Sequence, residues 1–441
     1  MNSKRHFGLI GCPLGHSLSP LIHERIMSVM GIPGEYRLYQ IEPEALPAEL
    51  PKLLAALDGF NCTIPHKEAV IPFLERLAPS ASLYGAVNTV QGRVGHNTDG
   101  AGFAACRVPM KGHRVCVLGA GGVARVLAVE AVRAGARELV IKARTPARAE
   151  KLAEEIRKQG FQAVSTASFN GGPVDCDVFL NGTPLGMWPE TGGIPCTPEE
   201  LEGAKAVYDT VYNPTATRLV LQAKSRGIWA RGGLDMLFWQ AVEAQKIWNP
   251  GLDFGKFQAE LDGVRHGLAE EVLRIGPVKL VLTGFMGSGK THVGRMLAEA
   301  ASLPFADLDE LIAAKAGQSI SEIFASQGEA GFRRLEREVF LERLQRPGAE
   351  VLAAGGGTLL QPGMAEAVHS AAALVIYLDV PLDEALARIG SDSGRPLLGE
   401  APKLYAERRP LYEQAADLKV DSGGEAAKTV QSIMSAFGWE L

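Results

Sequence analysis

GFMGSGKT, residues 284–291, decides how this chain is divided. It follows an apolar run, Val278 to Thr283, and opens a helical run, His292 to Ala301. Strand, glycine loop and helix, with Lys290 and Thr291 closing the loop, form the phosphate-cradling pattern called a P-loop. The glycines Gly284, Gly287 and Gly289 let backbone N–H groups wrap a phosphate, and the new helix points its positive end at it. Lys290 is placed to reach the outer phosphates of a nucleotide, and the Thr291 hydroxyl to hold Mg²⁺. A P-loop fold starts with this strand, so a separate domain must precede it.

The bulk composition narrows the rest. With 441 residues the chain has room for two or three domains, each with its own core. A net charge of -5 argues against a nucleic-acid partner, so an anionic ligand must be held by local Arg and Lys. The six cysteines form no CxxC pair and sit mostly beside apolar residues, which fits reduced thiols in a cytoplasmic protein rather than zinc ligands. The apolar run near the N-terminus is too short for a signal peptide, and no run reaches membrane-spanning length. A cytoplasmic enzyme of small molecules, monomeric or homodimeric, is the expectation.

Before the P-loop the chain falls into further blocks. From Met1 to about Cys106, short apolar runs such as HFGLIG alternate with helical stretches such as SPLIHERIMSVMG. There Ser19 can cap and Pro20 can occupy the first turn. From about Lys111 the pattern is strand (Arg114 to Leu118), glycine turn, helix (Val123 to Ala134) and strand (Glu138 to Ala143), a Rossmann-type start. A helical run from Gly233 to Trp248 follows. Then Phe257, Leu261, Val264, Leu268 and Val272, spaced by four and three, mark one face of a connecting helix that Gly276-Pro277 ends.

The glycine turn Gly119-Ala120-Gly121-Gly122-Val123-Ala124 fits GxGxxA after a strand, which reads as a dinucleotide site in this βαβ setting. An NAD site wants Asp or Glu at the end of the next strand. That strand instead ends Lys142-Ala143-Arg144-Thr145, with Arg148 one turn on. Cations without a carboxylate favour the 2′-phosphate of NADP.

Four other segments carry more polarity than a fold requires: HSLSP with Ser17 and Ser19, NCTIPHK with Lys67 after a Pro-broken strand, AVNTV with Asn88 within an apolar strand, and HNTDG with Asp99 before a helix. Each has an ordinary structural use: Ser19 and Asp99 as helix caps, Asn88 as a turn amide, Lys67 as a surface cation. Together they offer hydroxyls, an amide, an ammonium and a carboxylate, a set suited to a small polyhydroxy acid.

With these motifs in view, residues 1 to about 275 resemble shikimate dehydrogenase. GCPLGHSLSP, FNCTIPHK, GAVNT, NTDG, GAGGVAR, NGTPLGM, YNPTATRL and GGLDML..Q occur in the family's order. The resemblance implies reduction of 3-dehydroshikimate to shikimate with NADPH. Lys67 and Asp99 would be the catalytic pair, and Ser17 and Ser19 would bind the substrate carboxylate with Tyr212 nearby. Thr63, Asn88, Asp99 and Gln240 would bind ring hydroxyls. Gly119, Gly121, Gly122, Ala124, Arg144, Thr145, Arg148 and Gly233 would hold the cofactor. An ammonium beside a ketone oxygen stabilises the charge that hydride arrival leaves there, or supplies a proton. One departure stands out: the family's Asn-Arg-Thr after the second Rossmann strand is Ala143-Arg144-Thr145 here, a change that could loosen binding of the adenosine phosphate.

Past the P-loop, FADLDELI places Asp307 and Asp309 two apart, on one side of a strand. GQSISEIFASQGEAGFRRLE puts Arg333 and Glu336 on one helix face, VLAAGGGTLL sets three glycines after a strand, SDSGRPLL suits a mobile lid carrying Arg395, and RRPLY brings Arg408 before a proline. This ordered set resembles shikimate kinase, which uses ATP and Mg²⁺. By that resemblance Asp309 would orient the attacking hydroxyl, and Asp307 would hold Mg²⁺ with Thr291. Arg333 and Arg408 would clamp the carboxylate, and Gly356 and Gly357 would meet the ring. Arg395 and Lys290 would stabilise the transferring phosphate, and Arg388 would lie near the adenine, as would the VDSGGE segment around Asp421. Ala313 stands where the family often has Glu.

The expected architecture is therefore α/β throughout: an N-terminal α/β substrate domain (1–105 with 233–275), a Rossmann NADP domain (106–232), and a P-loop parallel-sheet domain of the nucleoside-monophosphate-kinase type (277–441). Two other readings exist, a quinate or quinate/shikimate dehydrogenase joined to a kinase, and a ligand-sensing regulator built from degenerate enzyme domains. The basic strand end and the attached kinase oppose the first. The presence of Lys67, Asp99, Lys290, Thr291, Asp307 and Asp309 opposes the second.

Overall fold

The computed structural model describes residues 4–15, 17–276, 278–389 and 400–439. The chain divides into two compact units. One comprises Met1–Thr183, Thr197–Thr210 and Gly232–Leu268, and the other Pro184–Cys196, Val211–Arg231 and Ala269–Leu441.

The first unit is built on two sheets. In one, the strands Gly34–Gln40, Arg5–Gly11, Gly59–Cys62, Thr89–Gln91, Val94–His96 and Arg76–Leu77 lie in that order. The first three are parallel, with Ile10 paired to both Tyr39 and Cys62. Arg5–Gly11 is buried from Phe7 onward, so it shows no polar alternation, as a strand covered on both faces should not. Its core joins Ile10, Leu50, Phe60, Val87 and Val90. The helix Ser19–Val29 starts with Pro20 in its first turn, but Leu18 occupies the cap position and no side chain caps it. The expected cap at Ser19 does not form, because Ser19 is already the first residue inside the helix.

In the other sheet the strands Ala206–Asp209, Val178–Asn181, Arg114–Leu118, Glu138–Ala143 and Val164–Ser168 run parallel, side by side. Both strands expected around the glycine turn form at the expected residues, and the helix between them is Gly122–Arg133. The helical run ending at Trp248 forms as Leu234–Trp248, and the connector as Gln258–Ile275.

The second unit centres on a parallel sheet ordered Phe305–Asp307, Glu350–Ala353, Lys279–Thr283, Ala373–Asp379 and Leu418–Asp421. Lys279–Thr283 is wholly buried and leads through the glycine loop into the helix Lys290–Ala300. The next strand ends at Asp307, so Asp307 and Asp309 do not alternate along one strand as expected. Asp307 caps the helix Leu308–Ala316, its Oδ1 accepting the Asp309 N–H at 2.9 Å. An N-cap aspartate and an acidic first turn favour a helix start over a longer strand. The segments after three neighbouring strands, Gly284–Gly289, Leu308–Asp309 and Gly355–Gly357, thus leave from their carboxyl ends.

Candidate active sites

In the first unit, a cis peptide bond at Ile64-Pro65 precedes a short helix, His66–Ala69, which carries Lys67. Lys67 Nζ donates to Asp99 Oδ2 at 2.6 Å. Asp99 opens the helix Asp99–Ala105, with Thr98 at the cap position. It does not cap that helix; its carboxylate is engaged sideways. Asn88 Nδ2 donates to the other carboxylate oxygen, Asp99 Oδ1, at 2.8 Å. Asn88 lies one residue before the strand Thr89–Gln91, not within it. Its Oδ1 accepts the Thr98 N–H at 2.8 Å, locking the amide so that its NH₂ faces Asp99 and, at 3.4 Å, Gln240 Oε1. Lys67, Asn88, Asp99 and Gln240, distant in sequence, thus form one polar cluster.

Further polar residues connect to this cluster or lie elsewhere. Asn61 Nδ2 donates to the Asn88 carbonyl at 3.1 Å and Asn61 Oδ1 accepts the Tyr36 hydroxyl at 2.8 Å. A buried chain of hydrogen bonds therefore runs from Tyr36 through Asn61 and Asn88 to Asp99. Ser17 Oγ accepts the Ser19 N–H at 3.3 Å. Thr63, half-buried, donates its N–H to the Ile10 carbonyl at 2.9 Å. Asn61, Tyr36 and Thr98 were not singled out from sequence. Asn61 and Thr98 had a signal, a buried amide in an apolar strand and a hydroxyl inside NTDG; a strand tyrosine such as Tyr36 had none. Tyr212 lies in the second unit, where burial raises its phenol above the ordinary range.

The glycine turn has the shape a pyrophosphate needs. Gly119 has φ +105° and would press a Cβ on the Gly182 carbonyl at 3.1 Å. Gly121 and Gly122 face open space. A Cβ on Gly182 would come within 2.9 Å of Ala124 Cα, so the small residue at Ala124 permits close packing of helix on strand. Arg144, Thr145 and Arg148 are exposed at the end of the second strand. Lys142 differs: it is 1% exposed and its Nζ donates to Glu200 at 2.6 Å. It belongs to the interior, where Glu200 engages its ammonium under a covering layer, and so does not join the two exposed arginines in a phosphate site. Gly233 precedes the helix Leu234–Trp248, and a Cβ on Gly233 would strike the Thr210 carbonyl.

In the second unit a cavity of about 770 Å³ opens over the glycine loop. Gly287 and Gly289, at φ +79° and +87°, hold the loop in the left-handed region. Lys290 Nζ donates to the Gly284 and Phe285 carbonyls, each at 3.0 Å. The Thr291 hydroxyl donates to Asp307 Oδ2 at 2.6 Å. One carboxylate and one hydroxyl at a phosphate loop form a donor set of the kind Mg²⁺ takes, since this ion keeps most of its waters. Asp309, Arg333, Gly356, Gly357, Arg388 and Arg408 all line the same cavity. Arg333 Nη1 donates to Glu336 at 2.7 Å, and Glu336, 1% exposed, also accepts from Thr358 and Gln361. Gly357 packs so close that a Cβ would meet the Arg333 guanidinium at 2.6 Å. The Tyr412 hydroxyl donates to the Gly356 carbonyl. Arg388 Nη2 donates to the Ser422 and Gly424 carbonyls at 2.8 and 3.1 Å, which places the VDSGGE segment on the cavity wall. Arg395 lies outside the described residues.

A dinucleotide turn with an ammonium–carboxylate cluster in one unit, and a P-loop cavity lined by arginines in the other, define an oxidoreductase and a small-molecule kinase in one chain. Comparison with known proteins makes this specific. The family model described as shikimate dehydrogenase substrate binding domain matches residues 9–90, that for shikimate / quinate 5-dehydrogenase 103–184, and that for shikimate kinase 286–437. The shikimate dehydrogenase (NADP(+)) of Moorella thermoacetica is 38% identical over 254 residues, covering 54% of this chain and 86% of that protein. That of Methanothermobacter thermautotrophicus is 38% identical over 262 residues, covering 56% and 92%. The crystal structure of the Thermus thermophilus enzyme in complex with NADP(H) and shikimate superposes with TM-score 0.51 at 34% identity, covering 59% of this chain and 99% of that one. A chorismate mutase/shikimate 5-dehydrogenase fusion protein from Clostridium acetobutylicum superposes with TM-score 0.54 at 31% identity, covering 61% and 98%. The chain belongs to the shikimate dehydrogenase family and carries a shikimate kinase domain at its C-terminal end. Among the described residues no helix is long and apolar enough to cross a membrane.

Proposed function

We propose that the chain performs two consecutive steps: reduction of 3-dehydroshikimate to shikimate with NADPH, then phosphorylation of the shikimate 3-hydroxyl from MgATP. The domains are proposed as 1–105 with 233–275 for substrate, 106–232 for NADP and 277–441 for the kinase, in a cytoplasmic protein that is monomeric or homodimeric. The observation that carries the first half is the Lys67–Asp99 pair at 2.6 Å within the Asn88–Gln240 cluster. The observation that carries the second is the P-loop cavity shared by Asp309, Arg333 and Arg408.

In the reductase, Ser17 and Ser19 hold the substrate carboxylate, and Thr63, Asn88, Asp99 and Gln240 take ring hydroxyls. NADPH, when bound, supplies the hydride. Lys67 Nζ–H stabilises the oxygen as negative charge develops and passes it a proton, while Asp99 orients the ammonium. Gly119, Gly121, Gly122, Ala124 and Gly233 let the dinucleotide approach, and Arg144 with Thr145 and Arg148 binds the 2′-phosphate. In the kinase, Arg333 and Arg408 clamp the ring acid's carboxylate, Gly356 and Gly357 present backbone groups to the ring, and Asp309 orients the attacking hydroxyl. Gly284, Gly287 and Gly289 cradle the phosphates. Lys290 exchanges its loop carbonyls for phosphate oxygens, Arg395 neutralises charge during transfer, and Arg388 lies along the adenine. Thr291 and Asp307 would hold Mg²⁺, which would supply charge neutralisation at the nucleotide phosphates.

The test is NADPH oxidation with 3-dehydroshikimate and ADP release with shikimate and ATP, measured on one purified sample. Absence of either activity in folded protein removes that half of the reading. Faster turnover with NADH and quinate than with NADPH and shikimate would instead support the quinate alternative.

A further inference from the structure

The helix Arg218–Ser225 lies in the second unit and packs on the strand Leu418–Asp421, an edge of the P-loop sheet. Three polar anchors hold it there. Arg218 Nε donates to Asp417 Oδ1 at 2.5 Å, with the two side chains only 6% and 1% exposed. Lys224 Nζ donates to the Ser435 and Ala436 carbonyls at 3.2 and 2.6 Å, closing the C-terminal end of the helix Ala426–Ala436. Ser225 Oγ accepts the Lys419 N–H at 3.3 Å. Asp417, just before that strand, is tied to the sheet: it exchanges hydrogen bonds with the Val375 backbone at 2.8 and 2.9 Å. His369 stands against the Arg218 guanidinium, and burial together with that charge holds its imidazole down to about 4, hence neutral.

The far end of the same strand reaches the nucleotide cavity. Ser422 Oγ donates to the Ser288 carbonyl of the glycine loop at 2.7 Å, and Ser422 and Gly424 line the cavity. An edge strand has a ladder on one side only, so its order depends on what covers the other. We propose that the helix Arg218–Ser225 is a strut that fixes the edge strand Leu418–Asp421 and thereby the Ser422–Gly424 wall of the ATP pocket, making ATP affinity depend on sequence outside the kinase family's own span. Arg218 and Lys224 are positioning residues in this scheme, since neither touches nucleotide. The proposal rests on reading the cavity as an ATP site.

The experiment compares full-length wild type with Arg218→Met, Arg218→Lys and Lys224→Ala, by hydrogen exchange of residues 418–424 and by kinase kinetics. Expected in Arg218→Met is exchange about tenfold faster at 418–424. The KM for ATP should rise about threefold or more, with the KM for shikimate unchanged. Arg218→Lys should recover part of both effects. Lys224→Ala should move both in the same direction to a smaller extent, and it decides the matter if Arg218→Met does not fold. Unchanged exchange in both Arg218→Met and Lys224→Ala, or faster exchange with an unchanged KM for ATP, overturns the proposal. If wild type phosphorylates nothing, the ATP reading falls, while the exchange comparison still decides whether the helix holds the strand.

Discussion

At the scale of single residues, charge placement governs both sites. Arg144 is exposed at the end of its strand, beside a glycine turn that opens toward ligand. Replacing it should remove charge-assisted hydrogen bonds worth about 1.5–3 kcal/mol, so Arg144→Ala should raise the KM for NADPH by about 10–100-fold. The KM for NADH should hardly move, and steady-state kinetics with the two cofactors reads the difference directly. Equal losses with both would remove the 2′-phosphate assignment. Lys142, two positions earlier, carries the same charge for a different purpose. It is buried against Glu200, which also closes a capping box with Thr197. Lys142→Ala should strand the Glu200 carboxylate in the interior and cost about 3–5 kcal/mol, seen as a lower denaturation midpoint with the KM for NADPH unchanged where the protein remains folded. Sequence alone could not separate these two cations, because a strand end looks alike whether the next layer covers it or solvent does.

At the scale of elements, the helix Ile320–Leu344 decides the kinase carboxylate site. Ser319 and Glu322 form a capping box at its start, and Gly328, at φ +69°, breaks its regularity. The stretch beyond the break carries Arg333 and Glu336 toward the cavity. A Cβ at Gly328 meets nothing, so strain alone opposes substitution. Gly328→Ala should cost about 1–3 kcal/mol and raise the KM for shikimate more than that for ATP. Chemical denaturation and kinase kinetics test the two parts, and an unchanged midpoint would mean the break relaxes without penalty. The spacing of three residues put Arg333 and Glu336 on one helix face. Nothing in it announced the break, since glycine inside a helical pattern is common and only the backbone angle marks its use.

At the scale of the whole molecule, each catalytic cluster lies within its own unit. Lys67→Ala should lower the reductase by about 10²–10⁴-fold and leave the kinase near wild type, and Lys290→Ala should do the reverse. If either variant, shown folded, lost both activities, independence of the sites would be wrong. Global stability has a pH signature as well. Burial beside Tyr36 and Trp248 depresses the His23 imidazole to about 3. The unfolded chain therefore binds a proton there that the folded one refuses. Stability from this group is complete above about pH 6.5 and falls as pH drops toward 3, by at most about 1.4 kcal/mol per pH unit. Urea titrations read by hydrogen exchange of the helix Ser19–Val29 should show that slope, and His23→Gln should reduce it by about one proton.

The order of motifs along the chain was enough to read the dinucleotide turn, the P-loop, the two families and most side chains of both clusters, because phosphate cradles and parallel strands impose local rules that survive in one dimension. Folding decided the rest. It turned Lys142 inward, set Asp307 as a cap and Asp309 in a first helical turn, and joined Asn61 and Tyr36 to Asn88. It also laid the helix Arg218–Ser225 on an edge strand about 200 residues away. Those outcomes depend on which layer covers which face and on where buried polar groups find partners, and only the packed chain supplies both.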